Sequence, residues 1–167
     1  KDVTLPEGSS YVWKHDDYGY YKASAYVSGA NLPSESWLVS SEIDLSEAQN
    51  PVLNFDFVFN HLKGNKAEDF LQIKVSTDYT GNVESATWTE IIYDASQFND
   101  TWDFIEQSID LLQFKGQKIT LAFAYESTDK CAPTVEIKNL SIRDKDSKYW
   151  DVCLFKEVPE SEVAAQM

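Results

Sequence analysis

The chain has 167 residues, of which 43% are hydrophobic and 14% aromatic, and 28 acidic against 14 basic residues give it a net charge of −14. The length favours one domain with a substantial core. The charge argues against nucleic acid as a partner, because the phosphate backbone is also negative, and it disfavours anionic membrane surfaces. No apolar run approaches the ~18–20 residues of a membrane-spanning helix, so no transmembrane segment is expected in this chain.

The predicted elements are strands, because apolar and polar residues alternate with a period of two and no helical period competes. The alternation is clearest where Phe55, Phe57 and Phe59 point to one side and Asp56 to the other. The predicted strands are, in chain order, Tyr20–Ser28, Trp37–Val39, Ile43–Leu45, Val52–Asn60, Phe70–Thr77, Trp88–Tyr93, Phe104–Leu111, Lys118–Glu126 and Thr134–Ile142, with Tyr149–Phe155 as a candidate addition.

Loops rich in Gly, Pro, Asn and Asp separate these strands, which predicts an all-β fold, an antiparallel jelly-roll β-sandwich. In the last clear strand the apolar parity shifts between Ile137 and Leu140, which predicts a β-bulge at Lys138–Asn139. The charged run Arg143–Lys148 suggests a domain over residues 1–145. Residues 146–167 would then be a C-terminal extension, an extra strand or the start of a linker.

The two cysteines, Cys131 and Cys153, are too few for a disulfide scaffold or a structural zinc site. They could form one bridge, worth about 3 kcal/mol through chain entropy. Two unpaired thiols are the favoured alternative.

Three landmark segments follow one another along the predicted strands: WLVSSEIDL from Trp37, VSTDYTG from Val75 and EIKNLSI from Glu136. In this order they resemble the choice-of-anchor J domains and the related cleaved adhesin domains of Bacteroidetes surface proteins, from Ser10 to Ile142. The resemblance implies a jelly roll of the galactose-binding-like or MAM-like kind, without catalytic activity. It also implies an exported accessory module, extracellular or in the outer membrane or periplasm, and some relatives bind calcium or carbohydrate.

Sugar binding is the first functional hypothesis. A pyranose stacks its C–H face on an aromatic ring, and its hydroxyls bond to Asp, Asn or Gln. Candidate residues lie near predicted strand ends or loops: Trp13, Asp16, Asp17, Tyr18, Tyr20 and Trp102. The segment WKHDDYGYY, which supplies most of them, also fits an ordinary packed hairpin.

A structural calcium ion is a second expectation, since calcium takes six to eight oxygen ligands from carboxylates and carbonyls. Asp16 and Asp17 could meet the last strand in a jelly roll, where the resemblance leaves Asn139 as a further candidate ligand. Lys138 stands where relatives often carry a carboxylate.

Two other functions remain as alternatives to a glycan-associated module. The first is an adhesion or assembly domain that contacts another protein at the cell surface. The second is a glycosidase, which needs two facing carboxylates, and Asp56 and Glu68–Asp69 are the residues to inspect. No nucleophile, metalloprotease or P-loop motif is present in the sequence, so an enzyme is not expected.

Overall fold

Alternating apolar residues bring two antiparallel sheets face to face in the computed structural model, which describes residues 1–145 and the backbone of residues 151–153. The strands are β1 (Asp2–Thr4), β2 (Trp13–His15), β3 (Tyr21–Ala23), β4 (Tyr26–Val27), β5 (Ala30–Asn31), β6 (Ser34–Asp44), β7 (Pro51–Asn60), β8 (Leu71–Ser76), β9 (Thr89–Ile91), β10 (Ile105–Asp110), β11 (Lys118–Ser127), β12 (Thr134–Asp144) and β13 (Asp151–Cys153). Short 3₁₀ turns lie at Ala67–Asp69, Ala95–Gln97 and Leu112–Phe114.

One sheet has the order β1-β6-β11-β8-β9, and the other has the order β10-β7-β12-β3-β2, with β13 also paired to β12. Strands β4 and β5 form a separate hairpin. The pairings in the described residues are antiparallel. The predicted all-β antiparallel sandwich is therefore confirmed.

The core lies between the sheets and is rich in aromatic rings. Phe55 and Phe57 of β7 contact Phe123 of β11 edge-on, with ring centroids 5.6 and 5.8 Å apart. All three are buried, as the alternation predicts. Such aromatic pairs contribute about 0.5–1.5 kcal/mol beyond the burial of their surface.

The predicted β-bulge is confirmed. The register between β12 and β7 shifts between Lys138 and Ser141, and Asn139 has a φ of 54°. Its amide donates a hydrogen bond to Asp56 across the strands, at 2.7 Å. Asn is among the residues that tolerate this left-handed conformation, so the extra residue is accommodated where the parity changes.

Strand β6 is one strand where the sequence predicted two. Ser40 and Ser41 together oppose Leu121 of β11, so the register shifts there. The Ser40 hydroxyl accepts the Leu121 N–H at 2.9 Å and completes the ladder. The bulge breaks the alternation without ending the strand, which is why the sequence pattern was interrupted.

Strand Tyr20–Ser28 was predicted as one element and is wrong in that form. The chain leaves the six-stranded sheet after Ala23 and forms the β4–β5 hairpin instead. Ser28 and Gly29 have φ of 51° and 86°, as a two-residue type I′ turn requires. Strand β1 was also missed, since it lies well before Tyr20, where the first predicted strand begins.

The candidate strand Tyr149–Phe155 is confirmed for the backbone of Asp151–Cys153, and the rest of it lies outside the described residues. The predicted domain boundary near residue 145 stays a prediction.

The two cysteines lie at different ends of β12. Cys131 is a buried free thiol close to Thr134, where β12 begins, whereas Cys153 is the backbone register partner of Ser141. Thr134 and Ser141 are seven residues apart along β12, roughly 23 Å. The two cysteines beside them are therefore well beyond the reach of a disulfide.

Within residues 1–145, no helix has the length and apolar character that crossing a membrane requires.

Candidate functional site

The outer side of the six-stranded sheet carries a row of charged side chains. Lys14 of β2 is the register partner of Lys22 of β3, and Lys22 is the partner of Glu136 of β12. The Lys22 ammonium lies 3.8 Å from the Glu136 carboxylate. Burial raises the pKa of Glu136, the Lys22 charge opposes that rise, and Asp16 adds to it.

A cleft of about 390 Å³ opens beside this row, at the end of the sheet where β7 finishes and β12 begins. We call it the Trp102 cleft. It is lined by Lys22, Ser24, Tyr26, Asn31, His61, Lys63, Trp102, Ala132 and Thr134. Trp102 and Tyr26 are 54% and 56% exposed, and the remaining lining residues mostly carry hydrogen-bonding groups.

One wall of the Trp102 cleft is a loop held in an uncommon backbone conformation. His61, Lys63 and Asp100 have φ of 63°, 54° and 40°. The Asp100 carboxylate accepts the N–H groups of Leu62 and Lys63, and the Asn60 side chain accepts the His61 N–H. Backbone strain of this kind costs about 1–3 kcal/mol per residue and concentrates at functional sites.

The aromatic rings of the cleft are supported by these same elements. His61 contacts Trp102 edge-on, with ring centroids 5.7 Å apart. Tyr26 is the register partner of Asn31 in the β4–β5 hairpin. The Asn31 amide donates to the Lys130 carbonyl and accepts the Ala132 N–H, which ties the hairpin to the loop before β12.

A second cleft of about 570 Å³ adjoins the first, and we call it the Tyr11 cleft. Lys22, Ser24 and Tyr26 line both clefts, and Tyr11 and Lys14 line the second alone. The two openings therefore share one wall along β3 and the start of β4.

A groove of about 570 Å³ also lies at the opposite edge of the sandwich, between β9 and β10. These are terminal strands of the two sheets in the described part of the chain. Glu90 and Asp94 border it on one side, and Glu106 and Asp110 on the other. The Gln107 side chain donates to the Glu106 carbonyl, which occupies one backbone acceptor of β10.

Trp13, a predicted ligand-binding residue, packs against the core instead of standing at a loop rim. Its ring meets Tyr125 edge-on at 6.4 Å, and its N–H donates to the Ser36 carbonyl at 3.0 Å. The parity of β2 explains this placement, because Trp13 pairs with the buried Ala23. The alternative interpretation, a packed β2–β3 hairpin, describes this segment.

Tyr18 and Tyr20 lie in and beside the turn of that hairpin. Their rings stack 6.3 Å apart, and Tyr20 contacts Phe104 at 6.0 Å. Lys138 places its ammonium 3.8 Å from the centre of the Phe104 ring. Trp102 is thus the predicted ligand-binding residue that lines the cleft, while Tyr18 and Tyr20 lie elsewhere on the same sheet face.

The candidate calcium ligands have other partners. Asp16 accepts the Tyr18 N–H at 3.0 Å, Asn139 donates to Asp56, and Asp17 is exposed in the turn. In residues 1–145, no three or more His, Cys, Asp or Glu side chains are grouped to hold a metal ion. A calcium site at Asp16, Asp17 and Asn139 stays a prediction.

Several cleft residues were missed from the sequence: Lys22, Tyr26, Asn31, His61 and Lys63. The Ser28-Gly29 pair could have indicated the hairpin that presents Tyr26. No comparable signal marks His61 or Lys63, whose left-handed conformations depend on the distant Asp100.

No family model matches the chain, and no curated protein matches it either. Among solved structures, it is similar to a cleaved adhesin domain of Lys-gingipain from Porphyromonas gingivalis, at 11% identity over 87% of this chain and 98% of that one, with a TM-score of 0.47. It is also similar to the family 30 carbohydrate-binding module of a cellulosomal cellulase from Clostridium thermocellum, at 18% identity over 87% and 94%, with a TM-score of 0.48. These values are too low to carry a function to this chain, which has to be argued from its own residues.

Proposed function

We propose that this protein is a non-catalytic, exported accessory module that binds carbohydrate in the Trp102 cleft. One observation carries the proposal: two aromatic residues, each more than half exposed, line a cleft whose other groups are mostly hydrogen-bonding side chains. Aromatic side chains this exposed keep apolar surface in contact with water, which is unfavourable. A ligand that covers this surface gains free energy, which favours a binding role.

The chemistry of the lining fits a sugar. Trp102 or Tyr26 offers a flat apolar face for the C–H side of a pyranose ring. Ser24 and Asn31 lie beside them, where sugar hydroxyls need donors and acceptors. The volume of about 390 Å³ is within the range of small-ligand sites, roughly 300–1,000 Å³.

The cleft is also built to keep its shape. Asp100 fixes the loop that carries His61 and Lys63, and Asn31 fixes the hairpin that carries Tyr26. Groups held in place before binding lose less conformational entropy when the ligand arrives, so this rigidity supports binding.

A glycan array followed by calorimetry on the hits tests the proposal, with Trp102→Ala as the main variant. We expect Trp102→Ala to weaken binding about tenfold or more, because a central aromatic contact is lost. Tyr18→Ala is the matched control, since Tyr18 is an 85% exposed ring outside the cleft and its loss should leave affinity unchanged. Undiminished binding by Trp102→Ala, or no glycan bound by the wild type, would contradict the proposal.

An adhesion or assembly domain is the second candidate, and the β9–β10 groove favours it. Ile92 is 80% exposed at this groove, beside the open edge of β10. Added strands commonly bind such edges through backbone hydrogen bonds. Binding to a surface protein that survives Trp102→Ala but fails in Ile92→Asp would support this function over the first.

A further inference from the structure

We infer that the Trp102 cleft and the Tyr11 cleft form one groove that binds an acidic oligosaccharide, one bearing carboxylate or sulfate groups. The inference rests on the proposed function and names its ligand class. It depends on three features of the described residues: the shared wall of the clefts, the charge of their lining and a pair of lysines placed side by side.

The shared wall makes the groove longer than one sugar ring. Lys22, Ser24 and Tyr26 line both clefts, so a ligand lying across them contacts both. Tyr11, 53% exposed, and Trp102 lie in the parts that are not shared. An aromatic ring is thus available in each part of the groove, as a chain of several sugars requires.

The charge of the lining is opposite to that of the whole protein. The chain has 28 acidic and 14 basic residues. Yet Lys14, Lys22 and Lys63 line the groove, and no Asp or Glu is among the described residues that line either cleft. A neutral sugar gains ordinary hydrogen bonds from these lysines, whereas a carboxylate or sulfate gains charge-assisted ones, which are roughly twice as strong.

Lys14 and Lys22 are also direct partners across two strands, and both side chains leave the same face of the sheet. Like charges directly opposite each other destabilise a sheet. Glu136 lies 3.8 Å from Lys22 and offsets part of the charge of that lysine. An anion bound at this pair would offset the repulsion that the fold otherwise retains.

The carboxylate of Asp100, in the loop next to Trp102, does not cancel this positive charge. Asp100 accepts the N–H groups of Leu62 and Lys63, so its oxygens are directed at the loop backbone. The negative charge elsewhere is screened, because the Debye length is about 8 Å at physiological ionic strength. Local lysines therefore decide which ligands enter the groove.

Calorimetry with size-matched oligosaccharides tests the inference. The acidic probes are oligogalacturonates, which carry carboxylates, and heparin-derived oligosaccharides, which carry sulfates. The neutral probes are cello-, xylo- and manno-oligosaccharides. We expect an acidic probe to bind more tightly than any neutral one, with an affinity that falls as salt rises. Equal affinity for neutral probes, or no salt dependence, would overturn the inference.

Charge variants locate the effect. Lys14→Gln, Lys22→Gln and Lys63→Gln should each weaken acidic-probe binding about threefold or more. Glu136→Gln should strengthen it, because it removes a carboxylate next to Lys22. Lys118→Gln, an exposed lysine paired with Glu42 on the other sheet, is the control and should change nothing.

The outcomes separate the two proposals. Neutral glycans bound through Trp102, with no effect of the lysine variants, would overturn the acidic ligand and support carbohydrate binding. Acidic probes bound through the lysines, with no effect of Trp102→Ala, would support the anionic groove and overturn the role of the aromatic ring. If no probe of either class binds, both proposals fail.

Discussion

The two sides of the six-stranded sheet are built from the same strands and differ in almost every respect. On the inner side, Phe55 and Phe57 pack edge-on with centroids 4.4 Å apart, and both are buried. On the outer side, Lys14 and Lys22 stand opposite each other, and His61, which lines the Trp102 cleft with Lys22, has a left-handed backbone. The inner rings pack closely, whereas the outer side includes a like-charge pair and a residue with a left-handed backbone.

The inner side is therefore built for stability, and the outer side carries the features on which the proposed binding site rests. Natural sequences satisfy local rules almost everywhere and break them where a function requires it. Here the broken rules are a like-charge pair on the outer face of the sheet and two left-handed residues, His61 and Lys63, in the loop at its end, and they meet at clefts that share Lys22. Their coincidence is stronger support for a site than any single residue.

The largest expected effect compares two phenylalanines on opposite sides. Phe57→Ala should lower the free energy of unfolding by about 3–5 kcal/mol, because it leaves a cavity between the sheets. Phe104→Ala removes the same atoms from a half-buried outer position and should cost clearly less. Urea denaturation measures both, and equal losses would show that the two sides contribute alike.

A smaller effect is expected at the bulge, on the outer side. Asn139→Ala should be less stable than Asn139→Gly by about 1 kcal/mol, because alanine resists the φ of 54° and glycine does not. Both variants lose the hydrogen bond to Asp56, so their difference isolates the backbone cost. Thermal and urea denaturation of the pair provide the measurement, and equal stability would mean that the bulge relaxes.

The smallest effect is a pH dependence at Glu136. Its folded-state pKa is raised by burial, so its contribution to stability is fully present below about pH 4.5 and is lost as pH rises through the folded-state pKa. The Glu136→Gln variant lacks this loss. The unfolding free energy of the variant, relative to that of the wild type, should therefore rise between pH 4 and 7. If the two free energies change with pH in the same way, burial of Glu136 is not the cause.

The inner side could be predicted from the sequence because it obeys a period of two. That period placed Phe55, Phe57 and Phe59 in the core, and its failure after Ile137 located the bulge at Asn139. Both results need only the local order of apolar residues along one strand.

The cleft could not be predicted in the same way. It combines Tyr26, His61 and Trp102, which are far apart in sequence, and it depends on hydrogen bonds from the 61–63 loop to Asp100. Trp102 was found because an exposed-loop Trp is conspicuous. Trp13 was misplaced because its strand is only three residues long, too short to reveal its parity.

At the β9–β10 groove the edges of both sheets are open to solvent, and four carboxylates border them. These carboxylates oppose self-association. A second copy that approached edge to edge would bring Glu106 and Asp110 against an identical acidic border. Such charges are one of the ways in which open strands avoid polymerising. This protection is charge repulsion, which dissolved salt screens. High ionic strength is therefore the condition under which copies of this sandwich would begin to join into longer sheets.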